Sequence, residues 1–330
     1  MVFEDQVRGR IERAVDRDFP IVRANGEPVF HLVNVVDDIQ MGITHVIRGE
    51  DHLTNTARHL ELFHAMGATP PQFAHLPLIL KDPAMGKGKM SKRDKGALIE
   101  EYEQRHFLGQ AVRNFLCLLG WSPKGDREIL PIEEIIAAFD FPGIQKGAAK
   151  FDEKKLSYIN GVYLRSLPLE TYTWVAKPIL ESAGLLNAEI TEDELQKILS
   201  LCMPKLDLLE DLPSYTAYFF SEQFPYQYDG WKKIGKKGDP REAAGQILAA
   251  LESAPQGLTA ESLPELTDRA AEQSGGKPNQ YLPIIRYAIC GTLSGPDLKE
   301  IIELLGPDRV KNRLSRFVGM DPETIRPPQD

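Results

Sequence analysis

Two short apolar runs separated by an amphipathic one constrain this chain most. Ile43 to Ile47 (ITHVI) is rich in β-branched residues, His75 to Lys81 (HLPLILK) is a second apolar run, and Thr54 to Met66 between them has helical periodicity. A strand, helix, strand order predicts a parallel pair with a right-handed crossover, and ligands bind beyond the carboxyl ends of such strands. Thr54 is the expected N-cap of the intervening helix and Gly67 its end. Arg48, Gly49, Glu50, Asp51 and His52 directly follow the first strand, so charged side chains are expected at that edge. Upstream, Pro28 to Met41 is β-branched like a strand but punctuated like a helix, by Pro28 before it and Gly42 after it. Helix is the reading adopted.

The segment Lys81 to Lys95 holds six Lys or Arg against two acids, a local balance of +4 on a chain whose formal net charge is −9. A charge run is most often a solvated face. This one follows a strand directly, and Gly86, Gly88 and Gly96 leave the backbone free to close over a ligand. A lid for a polyphosphate fits that pattern, and it emerges at the same edge as Arg48.

Beyond residue 100 the periodicity is helical. Val112, Phe115, Leu116 and Leu119 share one spacing, as do Leu156, Ile159 and Tyr163. Thr191 and Glu194 form a capping box ahead of Leu195, Ile198, Leu199 and Cys202, and Leu298 to Gly306 runs from Pro296 to a terminal glycine. These stripes are expected in the core. Phe224 to Arg241 (FPYQYDGWKKIGKKGDPR), rich in glycine, lysine and aromatics, is the expected break; it either stacks on RNA or links two helical bundles.

Several classes are excluded. No apolar run approaches the roughly 18 residues of a membrane span, and MVFEDQVRGRIERA is too charged for a signal peptide, so a soluble, cytoplasmic protein is expected. Cys117, Cys202 and Cys290 are odd in number and far apart, and read as buried thiols without a disulfide or zinc framework. The seven histidines are scattered and offer no H-E-x-x-H pattern. At 330 residues the chain has room for two or three domains.

With these residues in view, the chain resembles the bacterial glutamyl-tRNA synthetases. KMSKR (Lys89 to Arg93) is similar to the signature loop of class I aminoacyl-tRNA synthetases, and NVVDDIQMGITHVIRGEDHL (Asn34 to Leu53) is similar to the segment with which that family lines its glutamate and ATP sites. FDEKKLSYINGVYL (Phe151 to Leu164) resembles the family's stem-contact helix, and the stretch from Pro283 to Leu314 its last helical bundle.

The resemblance implies an α/β plus all-α fold: the second half of a Rossmann-type catalytic domain, then stem-contact and anticodon-binding helices. The implied divisions are 1–27 (the end of the acceptor-stem insertion), 28–80 (Rossmann half), 81–165 (KMSKR loop and stem contact), and helical subdomains 166–225 and 226–330. It implies joining of glutamate to the α-phosphate of ATP with Mg²⁺ as helper, then transfer to the glutamate tRNA. Lys89 and Lys92 would meet the triphosphate as catalytic cations, with Ser91, Arg93 and Asp51 also close to ATP. Phe30, Asn34 and Arg48 would line the glutamate site, and Trp231, Lys232, Lys233 and Arg286 are candidates for tRNA. A monomer is expected.

Two departures stand out. Phe30 occupies a position where the family usually has tyrosine, which removes one hydroxyl able to bond glutamate. An H-x-G-H or H-x-G-T pattern, the family's other signature, occurs nowhere in these residues. The chain is therefore expected to hold the carboxyl-terminal portion of a ligase and to need an amino-terminal half for activity; the alternative is a truncated, non-catalytic tRNA binder. Glutaminyl-tRNA synthetase is disfavoured, because its anticodon reader is built from β-barrels and residues 166–330 read as helices.

Overall fold

The computed structural model describes residues 1–14, 18–82, 84, 86–91, 93–94, 96–125, 127–187, 190–252 and 257–326. They divide into two compact units, Met1–Val162 and Tyr163–Asp330.

The first unit opens with a hairpin. β1 (Val2–Asp5) pairs antiparallel with β2 (Gly9–Glu12), and the Asp5 carboxylate caps the turn by accepting from the N–H groups of Val7 at 3.0 Å and Arg8 at 2.8 Å. α1 (Phe30–Gln40) is helical as expected, with Pro28 just before it and Gly42, at φ 64°, just after it. β3 (His45–Gly49) begins two residues later than the apolar run does. α2 (Leu53–Ala65) starts behind a short 3₁₀ turn, Glu50–His52, so the cap position is His52 and Thr54 lies within the first turn. Thr54 is not the N-cap. Gly67 does end this helix, its N–H bonding to His64 O at φ 68°.

β4 (Gln72–Leu76) pairs in parallel with β3 from His45↔Gln72 to Gly49↔Leu76, the pairing that the strand, helix, strand pattern predicts. The sheet order is β2-β1-β4-β3, with β1 joined in parallel to β4 at Asp5↔Phe73. HLPLILK, however, is not one strand. Pro77 has no N–H to offer a ladder, and the chain leaves the sheet there to form β5 (Ile79–Leu80), which pairs elsewhere. α1 and α2 pack on each other through Val35, Leu62 and Phe63, with Phe19, Ile39 and Ala68 at the margin. Burying each of these larger side chains contributes about 1.5–3 kcal/mol.

α3 (Ile99–Gln104), α4 (Gly109–Leu118) and α5 (Ile132–Ala138) follow, then β6 (Ala149–Lys150), the parallel partner of β5, and α6 (Glu153–Ser166). Val112 and Phe115 of α4 are buried as expected, but Leu116 is 41% exposed, because the helix buries only the face that carries Ala111, Val112, Asn114 and Phe115. On α6, Leu156 and Ile159 are buried.

The second unit is helical. α7 (Leu169–Ser182), α8 (Glu192–Cys202) and α9 (Leu212–Phe220) pack on one another, and the Thr191–Glu194 capping box is formed in both directions. α10 (Tyr228–Ile234), α11 (Pro240–Glu252), α12 (Leu263–Ser274), α13 (Tyr281–Cys290), α14 (Leu298–Leu305) and α15 (Pro307–Val318) complete it. Cys202 and Cys290 are buried, and burial pushes both thiols up to about 12; Cys117 is only partly buried. Arg313, 1% exposed, is satisfied by Glu222 through a bidentate pair at 3.0 and 2.7 Å and by Ile289 O at 2.7 Å, which ties α15 to the segment after α9.

Candidate active site

Every residue of the segment RGEDH at the end of β3 has a separate task. Arg48, on the last turn of strand, lies over the Phe73 ring at 5.7 Å and donates from Nε to His75 Nε2 at 3.3 Å and from Nη2 to Thr56 Oγ1 at 2.9 Å and His52 O at 3.3 Å. Burial lowers its pKa, and Asp38 and Asp51 oppose that shift by their charge. Gly49 leaves room for Asp51 to fold back, since a Cβ there would sit 2.5 Å from Asp51 Oδ1. Glu50 pairs with Arg8 at 2.7 Å and accepts from Leu78 N at 3.1 Å. Asp51 reaches the basic loop.

That loop leaves β5 and returns beside it. Lys81 N bonds Gly88 O at 3.0 Å, Met90 N bonds Ile79 O at 2.9 Å, and Leu80 faces Lys89 in an antiparallel bridge. Gly88 makes the return at φ 106°, a conformation that side chains rarely adopt. Lys89 Nζ is thereby 2.6 Å from Asp51 Oδ2, and this bond is the main reason that the Asp51 carboxyl sits below its ordinary range. Asp94 anchors the next turn: it accepts from Lys81 Nζ at 2.6 Å, Ser91 N at 2.7 Å and Ser91 Oγ at 2.9 Å, and the Lys81 bond leads in drawing its carboxyl down to about 2. Asp94 escaped the sequence reading, although an acid three residues after a serine is a local capping signal. Arg93 is exposed, with its N–H 3.4 Å from Ser91 Oγ. Lys92 lies outside the described residues.

Two of the residues expected to line an amino-acid site, Phe30 and Asn34, lie on α1. Phe30 is 55% exposed, with its ring 6.5 Å from His52 and 6.0 Å from His59. Asn34 Oδ1 is buried and has no hydrogen-bond partner among the described residues, so a donor from a ligand would satisfy it. Four of the seven histidines, scattered in sequence, are gathered here: His31 Nδ1 is 3.1 Å from His59 Nε2, and His52 and His75 both contact Arg48. Burial, then the Arg48 charge, pushes His59 down to about 3, so it is neutral at pH 7. Among the described residues no cluster of three acids, histidines or cysteines could hold a metal.

Two sets of expected residues stand in different units. In the second unit Trp231 packs against Tyr287 and Phe317, at ring distances of 6.4 and 6.1 Å, and part of the expected break around it folds as α10. Lys232 is exposed near the Tyr228 ring, whereas Lys233 and Arg286 line a cavity of about 1230 Å³ between helices α10 to α13. Arg286 Nη1 is buried without a partner among the described residues.

The family model for the catalytic domain of class I tRNA synthetases (E and Q) matches residues 1–158, and an anticodon binding domain model matches residues 172–318. A glutamate–tRNA ligase of Methylacidiphilum infernorum is 40% identical over 97% of this chain and 71% of its own length. The chain belongs to the glutamate–tRNA ligase family. A second member, from Moorella thermoacetica, is 35% identical over 96% of this chain and 64% of its own length. A crystal structure of a glutamate tRNA ligase from Elizabethkingia meningosepticum, solved with its amino acid, superposes with a TM-score of 0.77 at 29% identity, covering 97% of this chain and 66% of the other. Regions of a class I catalytic domain and of an anticodon-binding domain thus follow one another here, and the chain spans about two thirds of the length of these relatives. No helix among the described residues is long and apolar enough to cross a membrane.

Proposed function

We propose that this chain carries the KMSKR side of a glutamate–tRNA ligase active site: it orients L-glutamate and ATP for formation of glutamyl-adenylate, then supports transfer to the glutamate tRNA. The observation that carries this reading is the Lys89–Asp51 bond, which ties the basic loop to a residue three positions after Arg48. Arg48 offers a planar fork to a carboxylate, Asn34 Oδ1 suits an amino group, and Lys89, Lys92, Arg93 and the Ser91 hydroxyl suit a triphosphate. These groups have little covalent work to do. They align an attacking carboxylate with the α-phosphate and offset the charge that builds on the leaving pyrophosphate.

Mg²⁺ fits as a companion of ATP held through the phosphates, since the described residues supply cations rather than an acidic cage. Phe30 would line the glutamate site without the hydroxyl of the family tyrosine. The second unit would bind the tRNA through Lys232, Lys233 and Arg286; Trp231, committed to an aromatic cluster, would support that surface. The divisions 1–27, 28–80, 81–165, 166–225 and 226–330, a monomeric state and a cytoplasmic location belong to the same proposal.

These residues hold no H-x-G-H or H-x-G-T motif, so the 330-residue polypeptide alone should show no glutamate-dependent exchange of pyrophosphate into ATP. Adding, in trans, the amino-terminal part of a related ligase should create that activity. Robust exchange by the polypeptide alone would overturn the need for a second part. Glutamate tRNA binding without exchange in any combination would favour a non-catalytic tRNA binder.

A further inference from the structure

Behind Arg48 runs a buried chain of hydrogen bonds whose polarity can be read. Asp5 and His75 are 3% and 0% exposed. Asp5 Oδ1 accepts from the N–H groups of Val7, Arg8 and His75, and Oδ2 lies 2.6 Å from His75 Nδ1. Burial pushes the Asp5 carboxyl up, but the bonds from His75, Arg8 and Val7 outweigh it and leave it below its ordinary range. An ionised carboxylate only accepts, so Nδ1 carries the proton.

On the other side of the ring, Arg48 Nε donates to His75 Nε2. A guanidinium has no acceptor, so Nε2 must present a bare lone pair. That contact excludes an imidazolium paired with Asp5, whose second N–H would point at Arg48. His75 is therefore neutral, in the Nδ1–H tautomer. Thr56 Oγ1, 3.1 Å from Nε2, accepts from Arg48 Nη2, and His52 O takes the other Nη2 hydrogen. Of the five guanidinium hydrogens, three are used in this way, and the pair on Nη1 is bonded to none of the described residues.

We propose that Asp5 and His75 are positioning residues: they set the imidazole tautomer that clamps Arg48 with its Nη1 edge presented to the carboxylate of the amino-acid substrate. The amino-terminal hairpin thus belongs to the amino-acid site, although β1 and β3 are not neighbours in the sheet. The identity of the carboxylate as that of glutamate rests on the function proposed above; the clamp does not.

Asp5→Asn separates this role from a purely structural cap. Its amide oxygen can still accept from Val7 and Arg8, but its N–H₂ faces His75 Nδ1 and drives the proton to Nε2, against Arg48. With ¹⁵N-histidine in the 330-residue chain, long-range proton–nitrogen correlation should show His75 as the Nδ1–H tautomer in the wild type and as Nε2–H in Asp5→Asn. The Arg48 Nε–H should exchange slowly in the first and fast in the second. A wild-type imidazolium or Nε2–H form, or unchanged Arg48 exchange in the variant, overturns the clamp whatever the substrate. Calorimetric titration with L-glutamate should give about tenfold weaker binding for Asp5→Asn, weaker binding for Thr56→Val, and wild-type binding for Thr56→Ser. Equal affinity in Asp5→Asn despite a switched tautomer overturns the positioning role. If the clamp is seen but neither the wild type nor a chain completed in trans binds glutamate, the glutamate assignment fails and the clamp stands.

Discussion

Lys89 Nζ lies 2.6 Å from Asp51 Oδ2, with both side chains about half exposed. The pair is worth little as a source of stability at that exposure, but it holds the lysine at the carboxyl edge of β3 before any phosphate arrives. A bound triphosphate would compete with Asp51 for the same cation.

Lys89→Ala and Lys92→Ala, in an enzyme completed by the amino-terminal part, should each slow adenylate formation about 100-fold, roughly 3 kcal/mol, with little change in glutamate affinity. The reason is that, in the proposed reaction, each cation would meet charge that grows on the phosphates. Pre-steady-state measurement of adenylate formation checks this. Loss of glutamate affinity without loss of rate would refute the assignment.

Arg48→Ala should show the opposite profile. A charge-assisted bond to a carboxylate contributes about 1.5–3 kcal/mol, so glutamate affinity should fall about tenfold to 100-fold, read by titration calorimetry. Arg48→Lys should recover little of it, because an ammonium cannot replace the fork that His75, Thr56 and His52 hold. Identical kinetic profiles for Arg48→Ala and Lys89→Ala would dissolve the separation of roles.

His59 ties stability to pH. Its folded pKa, about 3, lies below the ordinary 6.5, so between those values the unfolded chain binds a proton that the folded chain refuses. The contribution is fully present above pH 6.5 and is lost as pH falls toward 3. Urea unfolding at pH 7.5 and 5.5 should show the wild type weaker at the lower pH, and His59→Leu should flatten that difference. An unchanged pH dependence in the variant would show that other groups cause it.

The second unit should bind tRNA with an affinity that falls as salt rises, with a log-log slope of about −0.7 to −0.9 for each phosphate neutralised. Lys233→Ala should reduce the slope by about one such step, while Trp231→Ala should lower the melting temperature, given its contacts with Tyr287 and Phe317. Titrating glutamate tRNA and an anticodon-swapped tRNA tests whether this surface reads sequence; equal affinity for both would leave it a scaffold.

By itself the sequence determined those features whose signal is short-range. Proline and glycine punctuation marked α1, the Thr191–Glu194 box marked α8, and the run ITHVI with its helix marked the β3–β4 pair. The resemblance in KMSKR and in Asn34 to Leu53 singled out the candidate site residues. Where local signals competed, tertiary structure decided. Pro77 split one apolar run between two sheets, the 3₁₀ turn moved the cap from Thr54 to His52, and the segment around Trp231 folded as a helix whose tryptophan packs on Tyr287 and Phe317. Most of the site's organisation lay beyond any local signal. Asp5 and His75 meet across 70 residues, Lys89 and Asp51 across 38, and four histidines with no common spacing gather around Phe30 and Arg48. A period of 2 or 3.6 reports which face of one element is buried; which elements then meet is set by strand order and chain return, and those exist only in the folded chain.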